Sequence, residues 1–591
     1  MNGTQNGSFI EKIKNRFDED SQISEKGLTI ENDEISIFFI DALIDKKLYS
    51  ESILAPLEIL ARNKKNDFEN QKNCKIEKEN LKKAEKINEK PQNNQNKSDI
   101  IEKIKNEIVS ISAIEELDDE EKTIQKLLAG NVVIASSKRA ISCPAYGLQA
   151  RSVEEPPTAR VVKGPREGFV EDLPRNLGLI RKRLKTTDLK IKDLYVGKQT
   201  NTHIAIVYID GIAKPEIVRE VEKRIGAIDI DAIIDSYYIE SFLETNKIKF
   251  FRRVGNTEKP DILCSKILEG RVAVLVDGSP IALTVPFVLF EDLQSPEDYY
   301  TIPAQATFVR IMRIVGLIFA ILIPGIFVAL QSFNYRILPI NFLITLLSSI
   351  EGLSVPPLVE LLLVLFLFEI ITEASLQMPN ALSMALSIIG ALALGNTAVD
   401  AGIISPPSIV IVAISSVALY IIPDQIAETR LLRVLFTTIG GIIGLYGIIT
   451  SFIILTTYLT SIRSFGVPYL SPIAPFVRND TKDSFFKQSV QNMDTRPVLI
   501  AGENKIRQTD FDEKGLKNHG ELMPNQKLEE KKTKIKQKQN KETRINETRQ
   551  ILQNQTVSDE KQQNKAKETK HENILQKSTK KSEKNQRKKE N

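Results

Sequence analysis

Near residue 310 the chain changes its solvent. Ile314 to Phe333 reads IVGLIFAILIPGIFVALQSF, without one ionisable group, and a run of that length crosses a hydrocarbon layer of about 30 Å. Charge returns after residue 476. The averages over 591 residues, 26% charged with a mean hydropathy of −0.16, conceal this division. Such a chain cannot bury all its apolar surface in one water-soluble core, so its function has to be argued at a bilayer.

Met1 to Asn32 is polar and lacks the basic start, apolar centre and cleavage site of a secretory signal. The first 300 residues are therefore expected in the cytoplasm, and Arg310 and Arg313, directly before the first span, agree with that orientation. Cys74, Cys143 and Cys264 are far apart and form no C-x-x-C pair, so neither a disulfide framework nor a thiolate zinc site is indicated. Of three histidines, His519 and His571 fall in a low-complexity tail, leaving His203. That is too little for a histidine-based triad or metal centre. No catalytic, cofactor-binding or metal-ligating residue is assigned, and an enzyme is not expected. The net charge of +4 is small, with lysine matched by glutamate, which argues against a nucleic-acid partner.

The soluble half reads as a duplication. IFFIDALI (37–44) and AIVYIDGIA (205–213) each run an apolar, β-prone segment into a turn-forming Asp, Asp41 or Asp210. LLAGNVVI (127–134) and ILEGRVAV (267–274) each place a helix end, a capping glycine (Gly130, Gly270) and a strand in the same order. Asp277-Gly278 signals a hairpin. The expected fold is multidomain: a cytoplasmic α/β region of two similar subdomains, then an α-helical polytopic membrane domain with short re-entrant or broken helices, then a disordered tail. The expected boundaries are a disordered N-terminus over 1–32, a first subdomain over 33–149 and a connecting charged segment over 150–199. A second subdomain over 200–300, a transmembrane domain over 310–462, a membrane-proximal segment over 463–476 and a disordered polar tail over 477–591 follow. Within the first subdomain, about 62–96 is a Lys, Asn, Glu and Gln mixture with few large apolar side chains, read as a disordered insertion.

Between the copies, 150–184 alternates charges with Pro and Gly but carries neither G-K-[ST] nor G-x-G-x-x-G. It reads as an interdomain clamp built on Arg151, Glu154, Glu155, Arg166, Glu167 and Glu171, with an anion site from Lys163 and Arg166 as the alternative.

Further candidate spans are 356–377, 381–399, 408–422 and 434–460, while 338–350 is too short to cross unaided. Basic residues after the last span outnumber those before it, which favours an even number of crossings with one segment re-entrant. Ser383, Ser387, Ala391 and Gly395, and also Gly440 and Gly444, recur every fourth residue as stripes for close helix packing. Glu360, Glu369 and Glu373 lie in or beside an apolar helix, where an ionisable group is costly enough to suggest function. Glu369 and Glu373 share a face and Glu360 points roughly opposite. The structural alternative puts Glu360 and Glu373 near the two interfaces and only Glu369 deep. Asn396, Thr397 and Asp400 add polar groups for a pore or gate.

The chain also carries RSVEEPP (151–157), GPREGFVEDLPRN (164–176), EGRVAVLVDGSP (269–280) and SPEDYY (295–300). LIPGIFVAL, LGNTAVDAGIISPPSIVIVA (394–413) and SFGVPYLSPIAPF (464–476) complete the set. By these motifs the chain resembles the A subunits of GerA-type nutrient germinant receptors of spore-forming bacteria, over roughly residues 33–480. The resemblance implies a receptor in the spore inner membrane, partnered by a transporter-like B subunit and a lipoprotein C subunit. It further implies an A subunit that oligomerises into a nutrient-gated cation channel embedded in lipid. A non-conducting scaffold and a secondary transporter are the alternatives. The family often has arginines beside the positions here held by Glu373 and Pro379. With Thr372, Gln377 and Met378 here instead, the glutamates are expected to lack adjacent cations.

Overall fold

A computed structural model describes residues 9–30, 33–61, 101, 104–105, 114–117, 119–136, 139–147, 163–244, 250–351, 353, 355–377, 388, 390 and 397–508. The insertion near 62–96 lies outside them. So do Arg151, Glu154, Glu155, Ser383, Ser387, Ala391, Gly395 and Asn396.

Each half of the soluble region is a five-stranded antiparallel sheet. In the first, β1 (Ile23–Ile30), β2 (Asp33–Ile40), β3 (Glu115–Leu117), β4 (Asn131–Ala135) and β5 (Ala140–Pro144) lie in the order β1-β2-β4-β5-β3. In the second, β6 (Leu189–Val196), β7 (Thr202–Ile209), β8 (Gly255–Thr257), β9 (Val272–Val276) and β10 (Ala282–Val285) repeat it as β6-β7-β9-β10-β8. The helices repeat as well. α1 (Phe9–Arg16) precedes the first sheet and α2 (Glu120–Leu128) leads into β4. Likewise α3 (Leu173–Arg183) precedes the second, α4 (Pro215–Gly226) and α5 (Ser236–Leu243) follow β7, and α6 (Pro260–Leu268) leads into β9.

The central strands are continuous apolar runs because both faces of each sheet are covered. Successive side chains of a strand point oppositely. Thus Ile35, Ile37 and Phe39 join one core with Tyr49, Ile53 and Leu57, while Phe38 and Ile40 join another with Ile13, Phe17, Ile124 and Leu127. In the second copy Ala205, Val207 and Ile209 pack on α3 and α6, and Ile204, Ile206 and Tyr208 pack on α4 and α5. Each large aliphatic group so buried contributes roughly 1.5–3 kcal/mol. Gly130 and Gly270 end α2 and α6 at φ of +86° and +103°. An L side chain there costs about 1–2 kcal/mol, so the same turn reverses the chain in both copies.

Three expected boundaries move. The segment 1–32 was read as disordered from its polarity, yet it carries α1 and the edge strand β1, paired from Ile23↔Ile40 to Ile30↔Asp33. An edge strand exposes one face, so its composition resembles that of a loop. For the same reason β6 starts the second sheet inside the segment read as a connector. The polar tail read from Val477 is packed as far as Gln508. There Gly502 N–H donates to the Ile212 carbonyl at 2.7 Å and Arg496 Nε to the Leu268 carbonyl at 2.9 Å, with Ile500 and Ala501 buried. Two apolar residues and paired backbone anchor it where average composition does not show it.

The subdomains are joined at Asp20 and Arg181, an ion pair whose side chains are both fully buried. Burial pushes the carboxyl up and the guanidinium down. Ser21 N–H adds a 3.0 Å bond to the Ile191 carbonyl. In the segment read as a clamp, Glu167 instead pairs with Lys182 and Arg183 of α3, Arg166 is exposed, and Glu171 holds Gly278 N–H through its carbonyl.

The helical part comprises α7 (Pro303–Ser332), α8 (Ile340–Ile350), α9 (Pro357–Gln377), α10 (Pro406–Leu419), α11 (Ile426–Ile443) and α12 (Leu445–Ser461). By length and composition α7 is long and apolar enough to cross a membrane, and α10 meets the following helical stretch Pro423–Ile443 at 112°. The run 434–460, read as one span, is broken at Gly444, whose φ is +77°. Gly440 does mark a close crossing: a Cβ there would overlap the Gly325 carbonyl of α7.

Asp20→Asn is expected to destabilise the protein by about 3–5 kcal/mol, by leaving Arg181 buried without a counter-charge, whereas Asp20→Leu with Arg181→Met costs far less. Denaturant unfolding of the purified protein measures both. Gly440→Val is expected to cost about 1–3 kcal/mol by overpacking, read as a lower melting temperature in detergent.

Candidate functional site

The soluble and helical parts meet in a buried ionic knot. Ser295 starts a short helical turn over Pro296–Tyr300, and its N–H donates to Asp298 Oδ2 at 3.2 Å. Arg310 and Arg313 sit one turn apart on α7 and so share a face. Asp298 accepts from Arg310 Nε at 2.9 Å and from Arg313 Nη1 at 2.8 Å. Arg310 is wholly buried and also holds Asp483. Tyr299 donates to Asp483 Oδ2 at 3.0 Å, and Lys487 lies 4.1 Å from the Tyr299 ring centroid. The SPEDYY motif, the start of the first apolar helix and the returning segment after the last helix are thereby fastened together.

A second ionic layer lies beneath. Glu291 takes both Arg271 and Lys266, the latter at 2.9 Å, and Arg252 pairs with Asp292. Gln425, just before α11, donates to Asp292 Oδ2 at 3.1 Å. Phe251 packs in one core with Leu432, Phe436 and Ile448 of the helical part and with Tyr469 of the segment after it. Burial, then the charges of Arg271 and Arg252, outweigh Asp292 and Glu269 and push the Lys266 ammonium down to about 7.

In the helical core the glutamates separate in role. Glu360 is fully buried, and its Oε1 accepts from Ser405 N–H at 2.7 Å and Ser405 Oγ at 2.6 Å, at the N-terminus of α10. A carboxylate is favoured there by the unpaired N–H groups and the helix dipole. Glu369 is only partly buried, so within the helical packing Glu360 is the more enclosed of the two. The expectation that the glutamates lack cations is corrected: Glu369 pairs with Arg433 and, at 3.1 Å, with Arg430. Those arginines come from α11, two helices later in the chain, so adjacency in sequence does not show them. Arg433 is 1% exposed and also donates to Ser416 Oγ at 3.1 Å. Glu373 is exposed and accepts from Gln377 at 3.3 Å. Thr397 and Asp400 are exposed at a short helical turn, and among the described residues no hydrogen bond or ion pair joins them to the glutamates.

The sequence reading missed the ion partners. Arg433 stands inside the apolar run LLRVLF, where the cost that singled out Glu369 applies equally. Asp483 and Glu291 carry no such local signal. Cys143 and Cys264 are free and buried, and burial pushes both thiols up to about 12. Among the described residues no group of three or more His, Cys, Asp or Glu is placed to hold a metal ion.

Above neutral pH the unfolded chain keeps the Lys266 proton while the folded chain has lost it. Stability is therefore expected to rise from about pH 7 toward the ordinary lysine range. Lys266→Met should flatten that rise in thermal unfolding of the detergent-solubilised protein.

The family model described as Bacillus/Clostridium GerA spore germination protein matches residues 11–499. Spore germination protein KA of Bacillus subtilis (strain 168) is 36% identical over 66% of this chain and 72% of its own length. Spore germination protein A1 of the same organism is 35% identical over 63% and 78%. A crystal structure of the N-terminal domain of the A subunit of the Bacillus megaterium spore germinant receptor GerK3 is 26% identical, with a TM-score of 0.32, covering 46% of this chain and 92% of that one. With the family model spanning both soluble subdomains and the helical part, the chain belongs to the GerA family of spore germination proteins.

Proposed function

We propose that this chain is the A-type membrane subunit of a nutrient germinant receptor, and that copies of it oligomerise into a nutrient-gated cation channel. On this reading it sits in the spore inner membrane beside a transporter-like B subunit and a lipoprotein C subunit, with the soluble subdomains in the cytoplasm. Family membership supports the receptor assignment. The observation that carries the mechanism is the helical part itself: short helices, a 112° bend and charged groups held inside apolar packing. Irregular backbone at membrane depth is tolerated where protein or a water-filled cavity surrounds it. The two ends of the helical part also meet, through Arg310 and Asp483, which supports an even number of crossings. Gating then needs only a nutrient-bound state of the receptor that favours the open form.

A scaffold that leaves ion movement to other subunits has its own support, since Glu369 pairs with Arg430 and Arg433 and one oxygen of Glu360 accepts from Ser405. Asp400, exposed and outside those pairs, separates the readings. In spores carrying Asp400→Asn at normal receptor abundance, nutrient-triggered release of monovalent cations is expected to change in rate or ion preference. Glu369→Gln is expected to lower receptor abundance. Unchanged release with Asp400→Asn removes Asp400 from the conducting path and shifts weight to the scaffold.

A further inference from the structure

Beside the second ionic layer, between α6, β8 and the junction turn, lies a cavity of about 490 Å³. That volume lies within the range of small-molecule sites. Six carboxylates and three basic side chains line it. Arg252 is spent on Asp292 and Arg271 on Glu269 and Glu291, while Lys266 lies against Glu291 with its proton weakly held. Glu258 and Asp261 have no ion-pair partner among the described residues. Tyr300 donates to Asp261 Oδ2 at 3.1 Å, but Asp261 Oδ1 and Glu258 Oε2 are buried with no hydrogen-bond partner. Both side chains are half-buried, but these two oxygens are screened from solvent, and two unmade acceptors at one cavity call for an explanation. Arg252 Nε and Arg271 Nε are also unmatched there, yet they belong to guanidinium groups whose charge is already met. What the cavity lacks is positive charge bearing N–H donors.

A bare metal ion does not meet that need, since no group of three acidic or imidazole side chains among the described residues is placed to hold one. Separate carboxylates suit a hydrogen-bonding cation with some apolar surface, and Ile262, Ile281 and Pro296 supply apolar wall. We propose that this cavity binds a small organic ammonium ion, its N–H groups donating to Glu258 Oε2 and Asp261 Oδ1. The ion lies against the layer that ties the second subdomain to the helical part. The site is independent of whether the chain conducts ions.

The test is thermal unfolding of the full-length, detergent-purified protein titrated with putrescine, against tetramethylammonium, potassium chloride and β-alanine at equal ionic strength. Putrescine is expected to raise the melting temperature saturably and the other three not to. Glu258→Gln with Asp261→Asn is expected to weaken the apparent affinity about tenfold or more. If the double variant melts early without ligand, Glu258→Gln alone carries the test, because the Glu258 carbonyl that holds Phe169 N–H is retained. No saturable shift with putrescine, equal shifts with tetramethylammonium or potassium, or undiminished affinity in the variants would each overturn the proposal. Equal stabilisation by β-alanine would overturn it in favour of a zwitterion.

Discussion

The junction of the soluble and helical parts rests on one carboxylate holding two guanidinium groups. Asp298 is 3% exposed and takes both Arg310 and Arg313. Two arginines at the mouth of an apolar helix are expensive to bury, and removing a partner from such a set costs more than the set itself contributes. The knot is therefore better understood as a fixer of geometry than as a source of stability. It sets where α7 begins and, through Asp483, where the chain lies after the last helix.

Much of the soluble fold was legible because the duplicated strands are buried on both faces. A run such as AIVYI admits few other homes, and the glycines at 130 and 270 carry a backbone demand that their residue type announces. The edge strands were not legible. ISEKGLTI alternates buried and exposed positions weakly, and its place comes from pairing with β2. Val477 to Gln508 is hidden for a related reason, since its attachments are main-chain bonds and single polar side chains, Asp483 and Arg496, whose partners lie far away in sequence.

In the helical part, a charge inside apolar sequence marks a residue in need of a partner without showing which partner it has. Glu360 and Glu369 stood out as charges in apolar sequence, and each has a partner contributed by a later helix. The distance in sequence between Glu369 and Arg433 is what hides such pairs. Small-residue spacing is ambiguous in the same way: Gly440 is where two helices touch, whereas Gly444, one turn on, is where a helix stops. Both glycines fit the same spacing, and only backbone conformation distinguishes them.

The segment after the last helix has a mechanical meaning. Because it is bonded both to Arg310 at the head of α7 and to the loop around Ile212 in the second subdomain, the helical part is held at its first and last ends by one body. A load on that subdomain is divided between the two ends in parallel and does not pass along the helices in series. The elbow of the bent pair is tied to the same body, through Gln425 and Asp292, so the helices between the two ends are held at a third point.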